Sequence, residues 1–449
     1  MLTKIKAWFG LKNKSCNCKA SKTHSAAKHK AINNKSRNHK AVIIPRSKHN
    51  ISRADISKNA LKVLYRLKAA GYQGYLVGGG VRDLLLGKQP KDFDIATDAS
   101  PEEVRKLFRN CRLIGRRFRL AHIYFGPEII EVSTFRATHD SEHQTEAGML
   151  LRDNVYGNID QDVLRRDFTI NAIYYNIQDF SLVDYVGGIE DIRKRQLRII
   201  GEPEARYRED PVRMLRAIRF ASKLDLKLHA ETMAPLPKLA ALIKDVAPAR
   251  LVEEYIKLFL LSNVQNTFSK LVEYGLFEAM FPQVMPYLKN HLALEFIKVA
   301  LTDTDGRITA NKPVSPIFLL AVFLWQPFLE NIKLLTAHNE EPLAKLHQDA
   351  IAHVIAVQKK TVMIPKSFVY TIKDIWLLQF RLPKLSANNV VRCYKSAVFR
   401  MAYDFLLLRA RAGNKEVIQL AKWWQDYVEG NDSTRRSMLK KLGSGRNKK

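Results

Sequence analysis

The spacing of apolar residues changes character along this chain. In residues 55–70 they recur every three or four positions, which is the period of a helix with one buried face. Short apolar runs bounded by glycine or proline follow, and these predict strands: Tyr75–Val77, Phe93–Thr97, Leu120–Phe125 and Ile129–Phe135. From Gly188 onward the helical spacing returns and the strand signals end. The pattern predicts a small mixed α/β domain over residues 51–135, with a sheet of about four or five strands, and a helical region after it.

Local signals place turns and helix starts between these runs. Ser100–Glu103 carries a serine cap, a proline for the first turn and a glutamate that completes a capping box. Gly78–Gly80 separates the first strand from a short helix over 81–86, and Gly126-Pro127 is typical of a hairpin turn. Residues 137–150 are polar and lack a period, so we expect a mobile loop there.

The net charge of +30, from 74 Lys and Arg against 44 Asp and Glu, is unevenly distributed. Residues 1–49 contain 13 basic and no acidic residues, and Ser433–Lys449 contains 7 basic and no acidic ones. Such ends favour weak, salt-dependent attraction to a polyanion, either nucleic acid or an acidic membrane surface. The alternative is that they only aid solubility.

Composition also argues against two classes of protein. The cysteines are too few and too scattered for a disulfide framework, which favours a reducing compartment and a cytoplasmic protein: Cys16, Cys18, Cys111 and Cys393. We expect no transmembrane segment, because the longest apolar run, Ile317–Trp325, has nine residues and a span needs roughly 20.

Asp92-Phe93-Asp94 lies at the start of the second predicted strand. Residues two apart in a strand point to the same face, so both carboxylates would project together while Phe93 enters the core. Two neighbouring carboxylates repel each other unless a cation lies between them. Since Mg²⁺ binds carboxylate oxygens, water and substrate phosphates, the pair predicts a magnesium site, although D-x-D alone also occurs by chance.

Two nearby features strengthen this prediction. Gly78 and Gly79 precede a helix, where glycine lets backbone N–H groups approach a phosphate and the helix dipole favours an anion. Glu131, on a neighbouring predicted strand, is a candidate third ligand for the same metal ions. Taken alone, the glycines also fit an ordinary tight turn, and Glu131 also fits the surface of an edge strand.

These residues, with three later motifs, carry a family resemblance. Gly78–Asp83 followed by Asp92–Asp94 resembles the head motif of the class II RNA nucleotidyltransferases, the branch of the polymerase β superfamily that contains bacterial poly(A) polymerases and CCA-adding tRNA enzymes. Arg165–Ala172 resembles the family's second motif, which is associated with the nucleotide ribose. Asp184 with Gly187-Gly188 resembles its flexible hinge between head and neck. Glu209–Arg213 resembles the motif that reads the incoming base.

The base-reading motif also has a physical rationale. Asp210 and Arg213 are three positions apart, so on one helix they would share a face. A carboxylate beside a guanidinium can match the hydrogen-bonding edge of a base, which would replace a nucleic-acid template. Taken alone, the spacing also fits a surface ion pair.

The resemblance implies an α+β architecture, in which a polymerase β-like nucleotidyltransferase head is followed by an all-α neck and body. The implied segments are a basic N-terminal tail, the catalytic head, the neck, the body and a basic C-terminal tail: residues 1–50, 51–187, 188–255, 256–430 and 431–449. Neck and body are expected to bind RNA.

The resemblance also implies two-metal phosphoryl transfer. Asp92 and Asp94 would hold two Mg²⁺ ions, and Glu131 would bridge to the ion that activates the RNA 3′-hydroxyl. Asp167 would position the nucleotide. The residues expected to contact the nucleotide are Gly78, Gly79, Arg82, Arg166, Asp210 and Arg213.

Within this family the chain resembles the poly(A) polymerases more than the CCA enzymes. Leu113–Ile123 resembles the stretch that marks the bacterial polymerases, and Ala249–Glu254 resembles their form of the neck motif. Basic ends also suit a protein that binds many unrelated RNAs. We therefore expect a monomer that uses ATP to add oligo(A) to RNA 3′ ends, marks RNA for decay and contacts the RNA-decay machinery. A CCA-adding tRNA enzyme and a non-catalytic RNA-binding relative stay open as alternatives.

Overall fold

The computed structural model describes residues 40–115, 119–137, 155–260, 263–338 and 340–444. The chain forms two compact units. In the described residues the first unit comprises residues 40–213 and Leu224–Leu239, and the second comprises Met214–Lys223 and residues 240–444. The loop predicted at 137–150 lies outside the described residues except for Ala137. The finer division into tail, head, neck and body stays a prediction.

An eight-stranded mixed sheet forms the centre of the first unit. Its strands are β1 (Val42–Ile44), β2 (Gly74–Val77), β3 (Asp94–Thr97), β4 (Cys111–Ile114), β5 (Leu120–Phe125), β6 (Glu128–Thr134), β7 (Ile173–Asn176) and β8 (Leu182–Asp184). They lie in the order β1-β8-β7-β2-β3-β6-β5-β4. Strands β3 and β6 pair in parallel, and the other neighbours pair antiparallel.

Residues 51–135 contribute five strands, β2–β6, as predicted, but β1, β7 and β8 from outside this range enlarge the sheet to eight strands. The sequence predicts β2, β3, β5 and β6, whereas β1, β4, β7 and β8 are only three or four residues long and show too little alternation to be recognised. Strand β1 also lies inside the predicted N-terminal tail, so that prediction is wrong for residues 42–44, which pair with β8. The predicted capping box of Ser100 and Glu103 is confirmed. Gly126, with φ +62°, forms the predicted β5–β6 turn.

Helices alternate with the strands along the chain and follow them. Up to Leu239 they are α1 (Lys58–Ala69), α2 (Gly79–Leu85), α3 (Pro101–Leu107), α4 (Ile159–Arg165), α5 (Gly188–Arg193), α6 (Pro203–Glu209), α7 (Val212–Leu224), α8 (Ala230–Met233) and α9 (Leu236–Leu239). A parallel pair of two-residue strands, β9 (Gln196–Leu197) and β10 (Lys227–Leu228), lies among them. The prediction that strands end at Gly188 is therefore wrong for these four residues.

The two faces of the sheet differ in their cores. On one face Ile95 and Val132 pack in a large apolar cluster with Leu64 of α1 and Val104 of α3. Strand residues alternate between faces, so the neighbouring positions point to the other side. There, residues such as Val77, Ala96 and Tyr174 pack with Val163 of α4 in a smaller cluster. Because this cluster covers only part of its face, polar strand residues on the same face remain accessible.

The second unit is helical. Its elements after Leu239 are α10 (Pro248–Phe259), α11 (Val264–Glu273), α12 (Leu276–Met280), α13 (His291–Thr309), α14 (Pro316–Phe323), α15 (Trp325–His338), α16 (Leu343–Lys359), α17 (Lys366–Arg381), α18 (Ala387–Tyr394), α19 (Phe399–Arg411), α20 (Lys415–Glu429) and α21 (Asp432–Ser444), with short 3₁₀ turns between some of them. Helix α21 occupies much of the predicted C-terminal tail, and four basic residues of the tail lie on it: Arg435, Arg436, Lys440 and Lys441.

Aromatic side chains fill the core of the second unit. Phe268 and Phe277 lie edge to face with ring centroids 4.9 Å apart. Trp376 and Trp424 are fully buried, and their indole N–H groups donate to the carbonyl oxygens of Ala321 and Leu382 at 3.1 Å. Such satisfied, buried rings stabilise the fold and are not available to stack on a base.

In the part of the chain that the structure describes, no single helix is long and apolar enough to cross a membrane, and only α14 and α15 together, bent by 43°, pass that test.

Asp184 fixes the chain between β8 and α5. This carboxylate is 4% exposed. Its Oδ1 atom accepts backbone hydrogen bonds from Val186, Gly187 and Gly188 at 2.9–3.1 Å, and its Oδ2 atom accepts one from Ile189 at 2.9 Å. One side chain therefore satisfies four backbone donors at the start of α5.

We predict that Asp184→Ala lowers the free energy of unfolding by about 2–4 kcal/mol, because backbone N–H groups lose their acceptor in a buried position. Urea denaturation followed by circular dichroism would measure the loss. The control is Asp225→Asn, since Asp225 is 92% exposed, its pair with Arg195 contributes little, and Asn tolerates the backbone angle φ +53° at this position. Equal losses in the two variants would contradict this account of Asp184.

Candidate active site

Two carboxylates lie side by side on the accessible face of the sheet. Asp94 and Glu131 are register partners on the parallel strands β3 and β6. Partners on adjacent strands project to the same face with their Cβ atoms close together. Asp94 is largely buried, whereas 42% of the Glu131 side chain is exposed. Since β6 lies between β3 and β5, Glu131 belongs to an interior strand and not to an edge.

The electrostatics of this pair favour a bound cation. Burial raises the pKa of Asp94 to about 6, and the negative charges of Glu131 and Asp92 act in the same direction. The Arg166 guanidinium opposes them only in part. Ionising Asp94 beside two other carboxylates is costly. A bound cation would stabilise the ionised form and so lower the pKa of Asp94.

Asp92 does not lie where the sequence predicts. Strand β3 begins at Asp94, so Asp92 is an exposed residue just before the strand and the shared-strand argument for the two aspartates is wrong. Phe93 is buried, at 7% exposure, as predicted. Among the described residues, no group of three or more His, Cys, Asp or Glu side chains is arranged to hold a metal ion. The three predicted ligands thus do not form a complete site by themselves.

The donor set nevertheless fits Mg²⁺. This ion is usually held by one or two carboxylates, with water and substrate phosphate oxygens completing its shell. Asp94 and Glu131 supply such a pair, and Asp92 lies close enough to influence the charge on Asp94. The remaining ligands would come from water and from a phosphate-bearing substrate.

The glycine turn packs tightly against these acids. Gly78 has φ +73°, a conformation that side chains disfavour, and it caps helix α2. A Cβ atom on Gly78 would lie 3.3 Å from Oδ2 of Asp94. One on Gly80 would lie 3.4 Å from the carbonyl oxygen of Asp92. The positive φ favours glycine at position 78, and this turn brings the start of the helix next to the Asp94 carboxylate.

Arg82 links this turn to the second motif. Its guanidinium is buried, pairs with Asp83 at 2.7 Å and donates to Oδ1 of Asn171 at 2.7 Å. Asn171 in turn donates to Oδ1 of Asp167 at 3.0 Å. The same Asp167 oxygen accepts the backbone N–H of Phe168 at 2.8 Å. The predicted contacts Arg82 and Asp167 are thus connected through one hydrogen-bonded chain.

Arg166 is held by two residues that the sequence did not single out. Its guanidinium donates to Oδ2 of Asp162 at 2.8 Å and to the Tyr174 hydroxyl at 2.8 Å. The hydroxyl donates to the same Asp162 oxygen at 2.7 Å. Burial disfavours ionisation of Asp162, but the Arg166 and Arg136 charges outweigh it and lower its pKa. The i,i+4 spacing of Asp162 and Arg166 was visible in the sequence and could have indicated this pair.

The predicted geometry of Asp210 and Arg213 is wrong. Helix α6 ends at Glu209, α7 begins at Val212, and Asp210 between them has the extended angles φ −146° and ψ 94°. The two residues therefore do not share a helix face. Proline at 211 disfavours a helical residue before it, which explains the break. Arg213 instead donates to Oε2 of Glu209 at 2.7 Å.

Further arginines accumulate around this motif. Arg206 pairs with Glu209 and donates to the carbonyl oxygens of Arg165 and Arg166 at 2.9 and 2.8 Å. Burial lowers the pKa of Arg206 to about 10, and the nearby Arg213 charge adds to that effect. Burial lowers the pKa of Arg165 to about 10 as well, with Arg136 contributing. Crowded guanidinium groups of this kind are stabilised by a polyanionic ligand such as a triphosphate.

Family comparisons cover most of the helices and strands described above. The model of the poly A polymerase head domain matches residues 74–198. The model described as a probable RNA and SrmB-binding site of polymerase A matches residues 225–288. The model of the polymerase A arginine-rich C-terminus matches residues 339–449.

Whole-chain comparisons separate the two branches of the family. Poly(A) polymerase I of Salmonella typhimurium is 48% identical over 414 residues, which cover 89% of each chain. A CCA-adding enzyme of Lactobacillus helveticus is 37% identical over 204 residues, covering 45% of this chain and 50% of that one.

A solved structure has a similar fold. The Thermotoga maritima CCA-adding enzyme complexed with tRNA superposes with a TM-score of 0.57 at 19% identity, covering 90% of this chain and 99% of that one. This likeness supports the α+β fold alone. The family matches and the extended identity to poly(A) polymerase I settle the membership: the chain belongs to the bacterial poly(A) polymerases, template-independent nucleotidyltransferases of the tRNA nucleotidyltransferase/poly(A) polymerase family.

Proposed function

We propose that this chain transfers AMP from ATP to the 3′ end of RNA with the help of two Mg²⁺ ions bound near Asp92, Asp94 and Glu131. The observation that carries the proposal is the register of Asp94 with Glu131, next to a glycine turn in which Gly78 has φ +73° and lies against the Asp94 carboxylate. When bound, the metal ions would lower the pKa of the attacking hydroxyl and neutralise charge on the phosphates.

The residues of this chain would position the two substrates. The turn at Gly78 and Gly79 lets the triphosphate approach Asp94 closely. Arg166, fixed by Asp162 and Tyr174, lies near enough to Asp94 to lower its pKa and would contact phosphate or sugar. Arg206 fixes the backbone that carries Arg166, so the guanidinium keeps its place while the phosphates shift.

Selection of the base would fall to the segment between α6 and α7. Asp210 lies in an extended conformation there, and the Arg213 guanidinium is oriented by Glu209 and by the carbonyl oxygen of Arg206 at 2.9 Å. The pKa of Glu209 is lowered by Arg213 and Arg206 although burial opposes this, so it stays ionised and holds both. A carboxylate acceptor and a fixed guanidinium donor within one short segment could together discriminate one base edge from another.

The product would be an oligo(A) tail on many RNAs. We expect this modification to mark RNA for decay in the cytoplasm and to bring the protein into contact with decay enzymes. The basic residues at both ends of the chain support broad RNA binding, because contacts to phosphate carry no sequence information.

The pure protein should extend an unstructured RNA with ATP and Mg²⁺ in a long, ATP-only ladder. Incubation with each single nucleoside triphosphate, read on a denaturing gel, measures this directly. Addition that stops after two C and one A would indicate a CCA enzyme instead. Absence of extension with RNA binding intact would indicate a non-catalytic relative.

Replacing both Asp92 and Asp94 with Ala should reduce extension by at least about a hundredfold while leaving RNA affinity within about twofold, since the metal-binding charge is lost and the RNA-binding surface is not. The matched control is Asp98→Ala, an exposed acid beyond the other end of β3. If extension persists in the double variant, the metal site lies elsewhere.

Asp94→Asn should stabilise the metal-free protein while abolishing extension. The folded-state pKa of Asp94 is about 6 against an ordinary value of 3.8, so ionisation opposes folding. The cost of ionising Asp94 in the folded protein is absent at a pH below the ordinary pKa of 3.8. It grows as the pH rises from 3.8 toward 6 and is constant above pH 6. Urea denaturation in EDTA should show a gain on the order of 1–3 kcal/mol at pH 8 and almost none at pH 4. Equal free energies of unfolding for the variant and the wild type at pH 8 would contradict the raised pKa of Asp94.

A further inference from the structure

A row of polar side chains continues across the sheet beyond Glu131. Glu131 on β6 is the register partner of His122 on β5, and His122 is the partner of Arg112 on β4. The His122 ring nitrogen Nε2 lies 3.2 Å from Oε2 of Glu131. Strands are spaced by about 4.8 Å, so Arg112 lies on the order of 10 Å from Glu131.

An aromatic ring completes this row. Tyr124 lies two residues after His122 and therefore on the same face. The Arg112 guanidinium lies 5.5 Å from the centre of the Tyr124 ring, and the His122 ring lies 6.4 Å from it. Cys111, Ala121 and Ile123, which point to the opposite face, are buried. Arg112 is exposed, and His122 and Tyr124 are half-buried, so these three form an accessible surface.

This surface and the arginines lie on opposite sides of the acid pair. Arg166 donates a hydrogen bond to Tyr174 of β7, and β2 lies between β7 and β3 in the sheet. The row of His122 and Arg112 extends in the other direction, across β5 to β4. A transfer between two substrates needs one on each side of the catalytic metal ions. With the triphosphate on the arginine side, the second substrate must approach over β5 and β4.

The chemistry of the row suits an unpaired RNA end. Rings and guanidinium planes stack on bases without selecting their sequence, and a guanidinium pairs with phosphate. The row also lies in and beside Leu113–Ile123, the stretch that resembles the poly(A) polymerase signature and that the proposed nucleotide site does not use. A surface that tolerates every sequence is what addition to unrelated RNAs requires.

We propose that Arg112, His122 and Tyr124 form a platform that binds the last nucleotides of the single-stranded RNA 3′ end and delivers its hydroxyl to Glu131 and Asp94. The proposal rests on the function proposed above for the acid pair. Tyr124 stacks on a base, Arg112 neutralises a phosphate, and His122 keeps the Glu131 carboxylate oriented.

Steady-state extension kinetics of full-length Arg112→Ala and Tyr124→Leu test the platform. The KM for RNA should rise about five- to a hundredfold in Tyr124→Leu, the range measured for loss of one stacked base. In Arg112→Ala the slope of log KM against log salt concentration should fall by about 1. In both variants kcat and the KM for ATP should stay within about twofold, and Tyr124→Phe should restore RNA affinity because it keeps the ring.

A short RNA primer and a control substitution at another arginine make the test more specific. The increase in KM should persist with a tetranucleotide primer, because the platform binds only the last nucleotides. Arg66→Ala is the control, since Arg66 also stacks on a ring, Phe108 at 5.1 Å, and Phe108 belongs to the core on the opposite face. An RNA with 4-thiouridine next to its 3′ end should crosslink to the peptide that contains Tyr124.

The outcomes separate the platform from the proposed function. Unchanged KM for RNA in an active enzyme, or crosslinks confined to other segments, would overturn the platform and leave the function standing. If the wild type does not extend RNA, the function fails, and fluorescence anisotropy with the tetranucleotide decides the platform alone. Weaker binding by Arg112→Ala but not Arg66→Ala would support it, and equal binding by the two would overturn it.

Discussion

Repulsion between Asp94 and Glu131 is the constraint on which the first unit is built. The parallel pairing of β3 with β6 places the two carboxylates next to each other, and burial of Asp94 makes its charge expensive. Cores on both faces of the sheet hold this backbone in place. The fold thus maintains a locally unfavourable arrangement of charge, which the cation proposed above would relieve.

The opposite charge is concentrated nearby in the same manner. Arg165 and Arg206 are partly buried beside other guanidinium groups, and each has a lowered pKa. Arg166 belongs to both regions, because Asp162 and Tyr174 hold it while its charge acts on Asp94. A metal-bound triphosphate carries both signs of charge and would relieve both regions together.

The sequence predicted which residues of the candidate site lie together better than it predicted their secondary structure. Gly78, Asp94 and Glu131 were identified because glycine runs and strand acids are local signals, and the structure brings them together. The position of Asp92 was wrong by the two residues that separate it from the start of β3. Strand ends are set by pairing with distant segments, here β2 and β6, and no local pattern records that.

The Asp210–Arg213 helix was a different kind of error, because Pro211 gave a local warning against it. The roles of Tyr174 and Arg206 depend on contacts across 8 and 40 residues, so spacing alone could not reveal them. The pairing of Asp162 with Arg166 was partly predictable, because the two residues have the i,i+4 spacing of a helix.

The parallel pairing of β3 with β6 also limits how such a chain can evolve. The connection between them contains α3, β4 and β5, and extra residues in its turns would leave the two acids where they are. An insertion or deletion of one residue within β6 itself would turn Glu131 toward the apolar core and bring Ile130 or Val132 to the face that carries Asp94. The loops of this unit can therefore vary in length, whereas the register of the seven-residue strand β6 cannot change.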